Sequence, residues 1–222
     1  MSNLIEQISE CVENGKVNLS SPYPPQMKGL PGADELTRQA LDEGIAPGDI
    51  LNLALVPAMN RVGQRYTENK IFVPQMLLSA KAMSASMAHL KPFFQSGEVQ
   101  RKGVVIMGTV MGDLHDIGKN LCCMMVEGAG FEVVDLGVDV KPEQFVAALD
   151  EHPNAIIGLS ALLTTTMVNM GAIINTIRQK YPDTKVAVGG APVNNDFAKS
   201  VSANGYGKDP QEFIVWLNSN VA

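Results

Sequence analysis

A short stretch near the middle of the chain, Asp113-Leu114-His115-Asp116-Ile117-Gly118, carries residue types suited to holding a metal ion. It follows the apolar run 103–108 and precedes a helix-like segment, so it is predicted to be a loop at the carboxyl end of a strand. A histidine on such a loop can reach a bound atom, and an aspartate two residues earlier can accept the proton of its other ring nitrogen. The spacing therefore predicts a metal-ligating imidazole, His115, oriented by Asp113.

Three further predicted strand ends carry glycines or hydroxyl groups, in residues 137–139, 160–166 and 189–192. Taken singly, a loop histidine often satisfies local hydrogen bonds, Ser and Thr cap helices, and glycines permit turns. Their combination at successive strand ends indicates a binding site. Gly118, Gly189 and Gly190 are expected to leave a slot for a ligand with a long arm.

The elements that position these loops follow from the hydrophobic pattern of the second half. Strand-length apolar runs alternate with helical stretches, which predicts a flavodoxin-like (Rossmann-type), doubly wound parallel sheet of about five strands. The strands are predicted at 104–107, 132–136, 155–159, 185–188 and, weakly, 204–206. The helices are predicted at 119–127, 142–150, 167–180, 193–200 and 210–217.

The first half has the period of helices and predicts a four-helix bundle. Helices are expected at 3–13, 34–43 and 47–66, with a kink at Pro57, and a fourth begins at Pro74. Four prolines mark residues 15–32 as an excursion. The domains are therefore predicted as an all-α bundle over residues 1–92, a linker over 93–101 and an α/β binding domain over 102–222.

Composition excludes several classes of function. The net charge is −6 and no basic stripe is present, which argues against nucleic-acid binding. No run of eighteen apolar residues is present, so no membrane span is expected. Three cysteines without framework spacing, and a start without a signal-peptide pattern, predict a cytoplasmic location.

The combination Asp113-x-His115-x-x-Gly118, Ser160-x-Leu162 and Gly189-Gly190 resembles the fingerprint of B12-binding domains. These domains hold their cofactor base-off, with a histidine on cobalt. Residues 66–75 resemble the capping part of the helical bundle that precedes this domain in cobalamin-dependent methionine synthase. The same pairing occurs in the corrinoid proteins of methanol, methylamine, betaine and methyl-ether methyltransferase systems. The resemblance covers nearly the whole chain except residues 20–31.

The resemblance implies a role for each matching residue. His115 would be the lower axial ligand of cobalt in cobalamin or a related corrinoid, with Asp113 and a hydroxyl of Thr166 continuing the relay. Ser160 and Thr164 would bind the displaced nucleotide tail. The other implied cofactor contacts are Tyr66 and Val73 over the upper face, Met111, Gly112, Asp116, Ile117 and Gly118 near the ring, and Leu162, Gly189, Gly190 and Tyr206 along the tail.

Two departures from the family pattern affect these roles. Tyr66 replaces an aromatic residue without a hydroxyl group, which predicts a more polar cap. Residues 204–209 differ from the pattern common in the family, so the last tail contacts, including Tyr206, rest on weaker similarity.

The function implied is that of a corrinoid methyl carrier, a non-catalytic subunit of a methyltransferase or O-demethylase system. It would pass a methyl group from a substrate-specific methyltransferase to a tetrahydrofolate or thiol methyltransferase. A reductive activase would reduce cofactor that has been oxidised to Co(II). Methyl ethers, methylamines, methanol and betaines are the candidate donors, with a slight preference for methyl ethers. The upper face needs a cap that swings away, which the linker would permit.

Three alternatives remain open. A cobalamin-dependent sensor or regulator shares both domains but usually adds an output module. A receiver-type signalling domain could use Asp113 and Asp116, but it leaves the hydroxyl loop and the glycine pair unexplained. The B12 subunit of a mutase shares the fingerprint but not the bundle.

Overall fold

The computed structural model describes residues 3–221, so Met1, Ser2 and Ala222 of the predicted domain ranges lie outside the described residues. The chain forms two compact units, a helical one up to Arg101 and an α/β one from Lys102. Residues Gly128–Gly130 group with the helical unit.

The helical unit is built from amphipathic helices whose apolar residues recur at a spacing of three and four. α1 buries Leu4, Ile8 and Val12 on one face. The helices are α1 (Asn3–Asn14), α2 (Ala33–Asp42), α3 (Pro47–Asp49), α4 (Val56–Thr67) and α5 (Val73–Gln95).

The helix predicted over 47–66 is continuous but contains a wider turn. Residues Ile50–Leu55 between α3 and α4 are π-helical, and the N–H of Val56 donates to the carbonyl of Leu51, five residues earlier. Pro57 has no N–H, and its ring would clash with the carbonyl four residues before it in a regular helix. The π segment directly before Pro57 is where such a disturbance is expected to be absorbed.

Helix α5 runs past Pro92 to Gln95, three residues into the predicted linker. It ends where Gly97 adopts a φ of +78° and its N–H donates to the carbonyl of Phe94. A proline weakens one turn of a helix, whereas a glycine in the left-handed conformation stops it. The helical end is therefore set by Gly97, and the sequence reasoning gave too much weight to Pro92.

The predicted excursion at 15–32 contains one short 3₁₀ turn, Pro25–Met27. It is fastened by Lys16, which is fully buried and donates from Nζ to the carbonyl of Ser21 at 2.9 Å. From α2, the carboxylate of Glu35 accepts the N–H groups of Leu19 and Gly32. The segment is thus pinned to the bundle by polar contacts.

The α/β unit has the predicted parallel sheet, and its strand order of β2-β1-β3-β4-β5 is flavodoxin-like. The strands are β1 (Val104–Thr109), β2 (Glu132–Asp135), β3 (Ile156–Ser160), β4 (Val186–Gly189) and the weakly predicted β5 (Gly205–Gly207). The helices are α6 (Ile117–Gly128), α7 (Pro142–Glu151), α8 (Thr164–Met167), α9 (Asn169–Lys180), α10 (Asn195–Ser200) and α11 (Pro210–Asn220). The predicted helical cap followed by a Rossmann-like domain is confirmed.

The central strands fix where a ligand can bind. β1 and β3 are neighbours, although β2 lies between them in sequence, so the strand order reverses here. Thr109 pairs with Ser160 at the carboxyl end of the two strands, and the loops that follow therefore start side by side. Such a switch point is the preferred ligand site of open α/β sheets.

Among the helices of residues 3–221, none is both long and apolar enough to cross a membrane.

Candidate functional site

At the carboxyl end of β1, the loop turns a buried aspartate inward and a histidine outward. Asp113 is 1% exposed, whereas the side chain of His115 is half exposed. The Oδ1 atom of Asp113 accepts the backbone N–H of His115 at 3.1 Å and lies 2.8 Å from Nδ1 of its ring. Because an ionised carboxylate only accepts hydrogen bonds, Nδ1 donates its proton to Asp113, and in the neutral ring the lone pair then lies on Nε2.

The second oxygen of Asp113 is held by the neighbouring loop. Its Oδ2 atom accepts the hydroxyl of Thr166 at 2.6 Å and the N–H groups of Leu162 at 2.8 Å and Leu163 at 3.3 Å. The structure therefore joins His115, Asp113 and Thr166 in one hydrogen-bonded chain that links the loops after β1 and β3.

These donors keep Asp113 ionised although it is buried. Burial alone would raise the pKa of Asp113. Hydrogen bonds to its carboxylate outweigh this effect, and they come from the hydroxyl of Thr166, the N–H of Leu162, and the ring and N–H of His115. Together they hold the pKa of this carboxyl well below its usual range. A fixed negative charge behind Nδ1 orients the imidazole, so that Nε2 is the nitrogen free to meet a metal.

The surface around His115 is apolar and exposed, which is unusual for the end of a sheet. Leu114 is 72% and Ile117 is 74% exposed. Four more large apolar side chains in the strand-end loops are also exposed, namely Met111, Val138, Leu162 and Leu163, and Val168 is exposed between α8 and α9. Apolar exposure concentrated at one edge of a sheet is typical of a binding surface.

The chemistry of the donor set also fits a macrocycle. Among residues 3–221 there is no group of three His, Cys, Asp or Glu side chains that could hold a metal ion. A metal bound by His115 alone must bring its remaining ligands with it, as cobalt does in a corrin ring.

The three predicted glycines differ in how much space lies beside them. A Cβ atom built on Gly118 would meet no heavy atom within 4 Å, so this position is open to a ligand. At Gly190, which has a φ of +118°, a Cβ would lie 1.9 Å from the carbonyl oxygen of Ala161, and at Gly189 it would lie 3.1 Å from that of Gly207. Neither glycine of the pair could therefore carry a side chain in this backbone, and their expected place along a ligand slot stays a prediction.

The remaining predicted residues of this unit lie around the same edge but have local partners. Asp116 lies directly before α6, and its carboxylate accepts from Nδ2 of Asn120 at 3.0 Å. Ser160 ends β3 half-buried, and Thr164 begins α8 exposed. Tyr206 packs against the core of the sheet from β5, and burial raises the pKa of its phenol. The structure does not give these side chains any contact with His115.

Tyr66 and Val73 belong to the helical unit. Tyr66 lies in the last turn of α4, Val73 is the first residue of α5, and both are half-buried. Their role as a cover for the upper face of the ring stays a prediction.

Sequence reasoning missed the residues that support the loop from behind. Lys119 is 2% exposed, and its Nζ lies 2.6 Å and 2.5 Å from the carboxylate oxygens of Asp135 at the end of β2. Asp139 and Asn169 also contact the loop. A lysine in a mostly apolar helix such as α6 was a usable signal, because a buried ammonium group requires a charged partner.

The chain matches known families and proteins over most of its length. Residues 103–212 match the B12 binding domain family, and residues 31–91 match a second family of the same description. A corrinoid protein of Desulfitobacterium hafniense is 38% identical over 189 residues, which span 83% of this chain and 88% of the relative. Trimethylamine corrinoid protein 1 of Methanosarcina acetivorans is 37% identical over 186 residues, 82% of this chain and 86% of the relative.

Solved structures of cobalamin-binding proteins also resemble this chain. A chain of the methanol:cobalamin methyltransferase complex of Methanosarcina barkeri superimposes with a TM-score of 0.81 and 28% identity, covering 99% of this chain and 80% of that one. A cobalamin-binding protein of Desulfitobacterium hafniense gives a TM-score of 0.75 and 25% identity, with 99% of both chains covered.

Fold and site together define an α/β protein with a histidine-bearing loop at the switch point of a parallel sheet. The chain belongs to the B12-binding corrinoid proteins of methyltransferase systems, and its cofactor is cobalamin or a related corrinoid. The family and the cofactor predicted from the sequence are thereby confirmed.

Proposed function

We propose that this chain is a methyl carrier that binds cobalamin, and that His115 would hold its cobalt. It would receive a methyl group from a substrate-specific methyltransferase and deliver it to a second methyltransferase. The observation that carries the proposal is the hydrogen bond from Nδ1 of His115 to a buried, ionised Asp113, which leaves Nε2 as the nitrogen available to cobalt.

The donor and acceptor are proposed from relatives and from the resemblance. Relatives named as trimethylamine and dimethylamine corrinoid proteins support a methylamine donor, and the solved methanol:cobalamin methyltransferase complex supports methanol. Tetrahydrofolate or a thiol coenzyme is the proposed acceptor, and a reductive activase is the proposed third partner.

The bound corrinoid would supply a cobalt centre that takes up and releases a methyl group. The chain's own residues control the nitrogen beneath it. Asp113 holds the Nδ1–H of the ring, so that Nε2 of the neutral imidazole would be the nitrogen that holds cobalt. The hydroxyl of Thr166 holds the other carboxylate oxygen and so keeps Asp113 in place behind the ring.

The surrounding side chains would bind and shield the cofactor. The apolar side chains around His115, Leu114 and Ile117 foremost, would contact the corrin ring. Ser160 and Thr164 would hydrogen-bond the nucleotide tail, and Tyr66 and Val73 would exclude water and oxygen from the upper face.

The function is tested by loading the purified chain with cobalamin, reducing it, and adding purified candidate methyltransferases with one donor at a time. Trimethylamine, dimethylamine, methanol, a betaine and an aryl methyl ether form the panel. A carrier should become methylated, as read from its absorption spectrum, with one enzyme–donor pair, and His115→Ala should lose axial ligation. A chain that binds cobalamin but is methylated by no enzyme–donor pair in the panel would instead behave as expected of a sensor.

A further inference from the structure

Two side chains outside the predicted site fasten the backbone on which Asp113 sits. Asp139, in the loop after β2, accepts the N–H of Gly112 at its Oδ1 atom at 2.7 Å, and its own N–H donates to the carbonyl of Asp113 at 3.0 Å. From the opposite side Asn169, the first residue of α9, donates from Nδ2 to the carbonyl of Met111 at 2.8 Å. Three consecutive residues are therefore held by the loop after β2 and by the first residue of α9.

The backbone at Asp139 indicates that its side chain is used there. Its φ is +54°, in the left-handed region that glycine adopts most easily and aspartate tolerates better than most residues. Within the described residues, its carboxylate forms no ion pair and its one hydrogen bond is the one from Gly112. Gly112 is itself at +83°, so two left-handed residues meet at this contact.

The loop has little else to restrain it on its outer side. Leu114, His115 and Asp116 are all exposed, and beyond Asp113 the carbonyl of His115 is held by the hydroxyl of Thr109 at 3.0 Å. A bond from nitrogen to a metal requires the ring to point in one direction, and weakening the groups that orient a ligand typically costs about tenfold or more in metal affinity.

We propose that Asp139 and Asn169 are positioning residues for cobalt ligation. They hold residues 111–113 so that Asp113, and through it His115, keeps a single orientation. Neither forms a hydrogen bond with the His115 ring, so their effect passes through Asp113. The proposal rests on the proposed role of His115 as the axial ligand.

The test uses the full chain loaded with cobalamin and reduced to Co(II), in protein labelled with ¹⁵N-histidine. The electron paramagnetic resonance spectrum gives the ratio of histidine-bound to histidine-free cobalt. Three variants separate loss of the carboxylate acceptor from backbone strain at residue 139. They are Asp139→Asn, Asp139→Gly and Asp139→Ala. Asp183→Ala is the matched control, because Asp183 is an exposed loop aspartate of the same unit without a side-chain hydrogen bond in the described residues.

In Asp139→Asn the ratio of histidine-bound to histidine-free cobalt should stay within about twofold of the wild-type value. The amide oxygen can accept the Gly112 N–H, and asparagine tolerates the left-handed backbone. Asp139→Gly, which is free of strain but lacks the acceptor, should lower the ratio about fivefold. Asp139→Ala should lower it at least as much. Asn169→Ala should also lower it about fivefold, and alanine should preserve α9 because it is a good helix former.

The outcomes separate this inference from the function on which it rests. If wild-type cobalt shows no histidine nitrogen, the proposed function fails whatever the variants do. If the wild type shows it and Asp139→Gly keeps the wild-type ratio, only the positioning role is overturned. Should the Asp139 variants unfold, Asn169→Ala decides alone: a lowered ratio supports the proposal and an unchanged ratio overturns it.

Discussion

The Asp113→Asn substitution tests the electrostatic centre of the site, because it keeps the shape of the side chain and removes its charge. Asp113 accepts donors on both oxygens, whereas asparagine can accept on one side only and presents an NH₂ group on the other. The oxygen should face Leu162 and Thr166, where more donors converge, and the NH₂ group should then face His115.

The expected magnitude follows from this orientation. The backbone N–H of His115 loses its acceptor, which costs about 1–3 kcal/mol of unfolding free energy. The NH₂ group can be satisfied only if Nδ1 of His115 accepts, and the proton then sits on Nε2, where it blocks the lone pair. Ligation of cobalt should therefore fall by about tenfold to a hundredfold.

Urea unfolding of the cofactor-free chain measures the first effect, and the fraction of histidine-bound Co(II) measures the second. Asp116→Asn is a suitable control, since Asp116 is exposed and its carboxylate contacts Asn120 rather than His115. A loss below about 0.5 kcal/mol together with unchanged ligation would refute the assignment of Asp113 as the orienting charge.

Three further predictions concern the same chain of contacts and the loops around it. Thr166→Val, a nearly isosteric change at a buried position, should cost about 2 kcal/mol in urea unfolding because it removes a hydrogen bond to a charged acceptor. The difference in unfolding free energy between the wild type and Asp113→Asn should be constant from about pH 5 to 8 and shrink below about pH 4. The pKa of Asp113 is lowered in the folded state, so its stabilisation is present above the unfolded pKa and lost as pH falls through the folded one. Gly190→Ala should destabilise by about 3 kcal/mol, because its Cβ would meet the carbonyl of Ala161, whereas Gly118→Ala should leave stability unchanged and weaken cobalamin binding.

Each of these predictions has an outcome that contradicts it. Stability of Thr166→Val equal to the wild type would mean that the hydroxyl does not hold the carboxylate. A stability difference that grows below pH 4 would give the Asp113 shift the opposite sign. If Gly118→Ala bound cobalamin as tightly as the wild type, the open space at that glycine would not belong to the cofactor site.

The sheet and the central residues of the site could be predicted because their signals are local and redundant. Alternating strands and helices leave few parallel topologies, and the spacing of Asp113 and His115 places both on one strand-end loop. Thr166 lies 53 residues from Asp113 in sequence. Its contact was predictable from the family resemblance, since no local pattern reports so distant a partner.

What could not be predicted depends on packing in three dimensions. No local pattern shows that a Cβ on Gly190 would meet the carbonyl of Ala161, or that one on Gly189 would meet the carbonyl of Gly207, because Ala161 follows β3 and Gly207 ends β5. The pairing of Lys119 with Asp135 depends on where α6 lies against β2. The end of α5 depends on which of Pro92 and Gly97 terminates it, and both are helix breakers by composition alone.

The central claim is a bond from the imidazole of His115 to cobalt, and isotope labelling tests it most directly. The chain should be prepared with ¹⁵N-histidine, loaded with unlabelled cobalamin and reduced to Co(II) for electron paramagnetic resonance. If the nitrogen on cobalt belongs to His115, the three-line splitting of the unlabelled sample should become a two-line splitting in the labelled protein. The His115→Ala variant should then show no splitting from a histidine nitrogen. A splitting that stays three-line in the labelled protein would show that the cofactor's own base is bound, and would contradict the account.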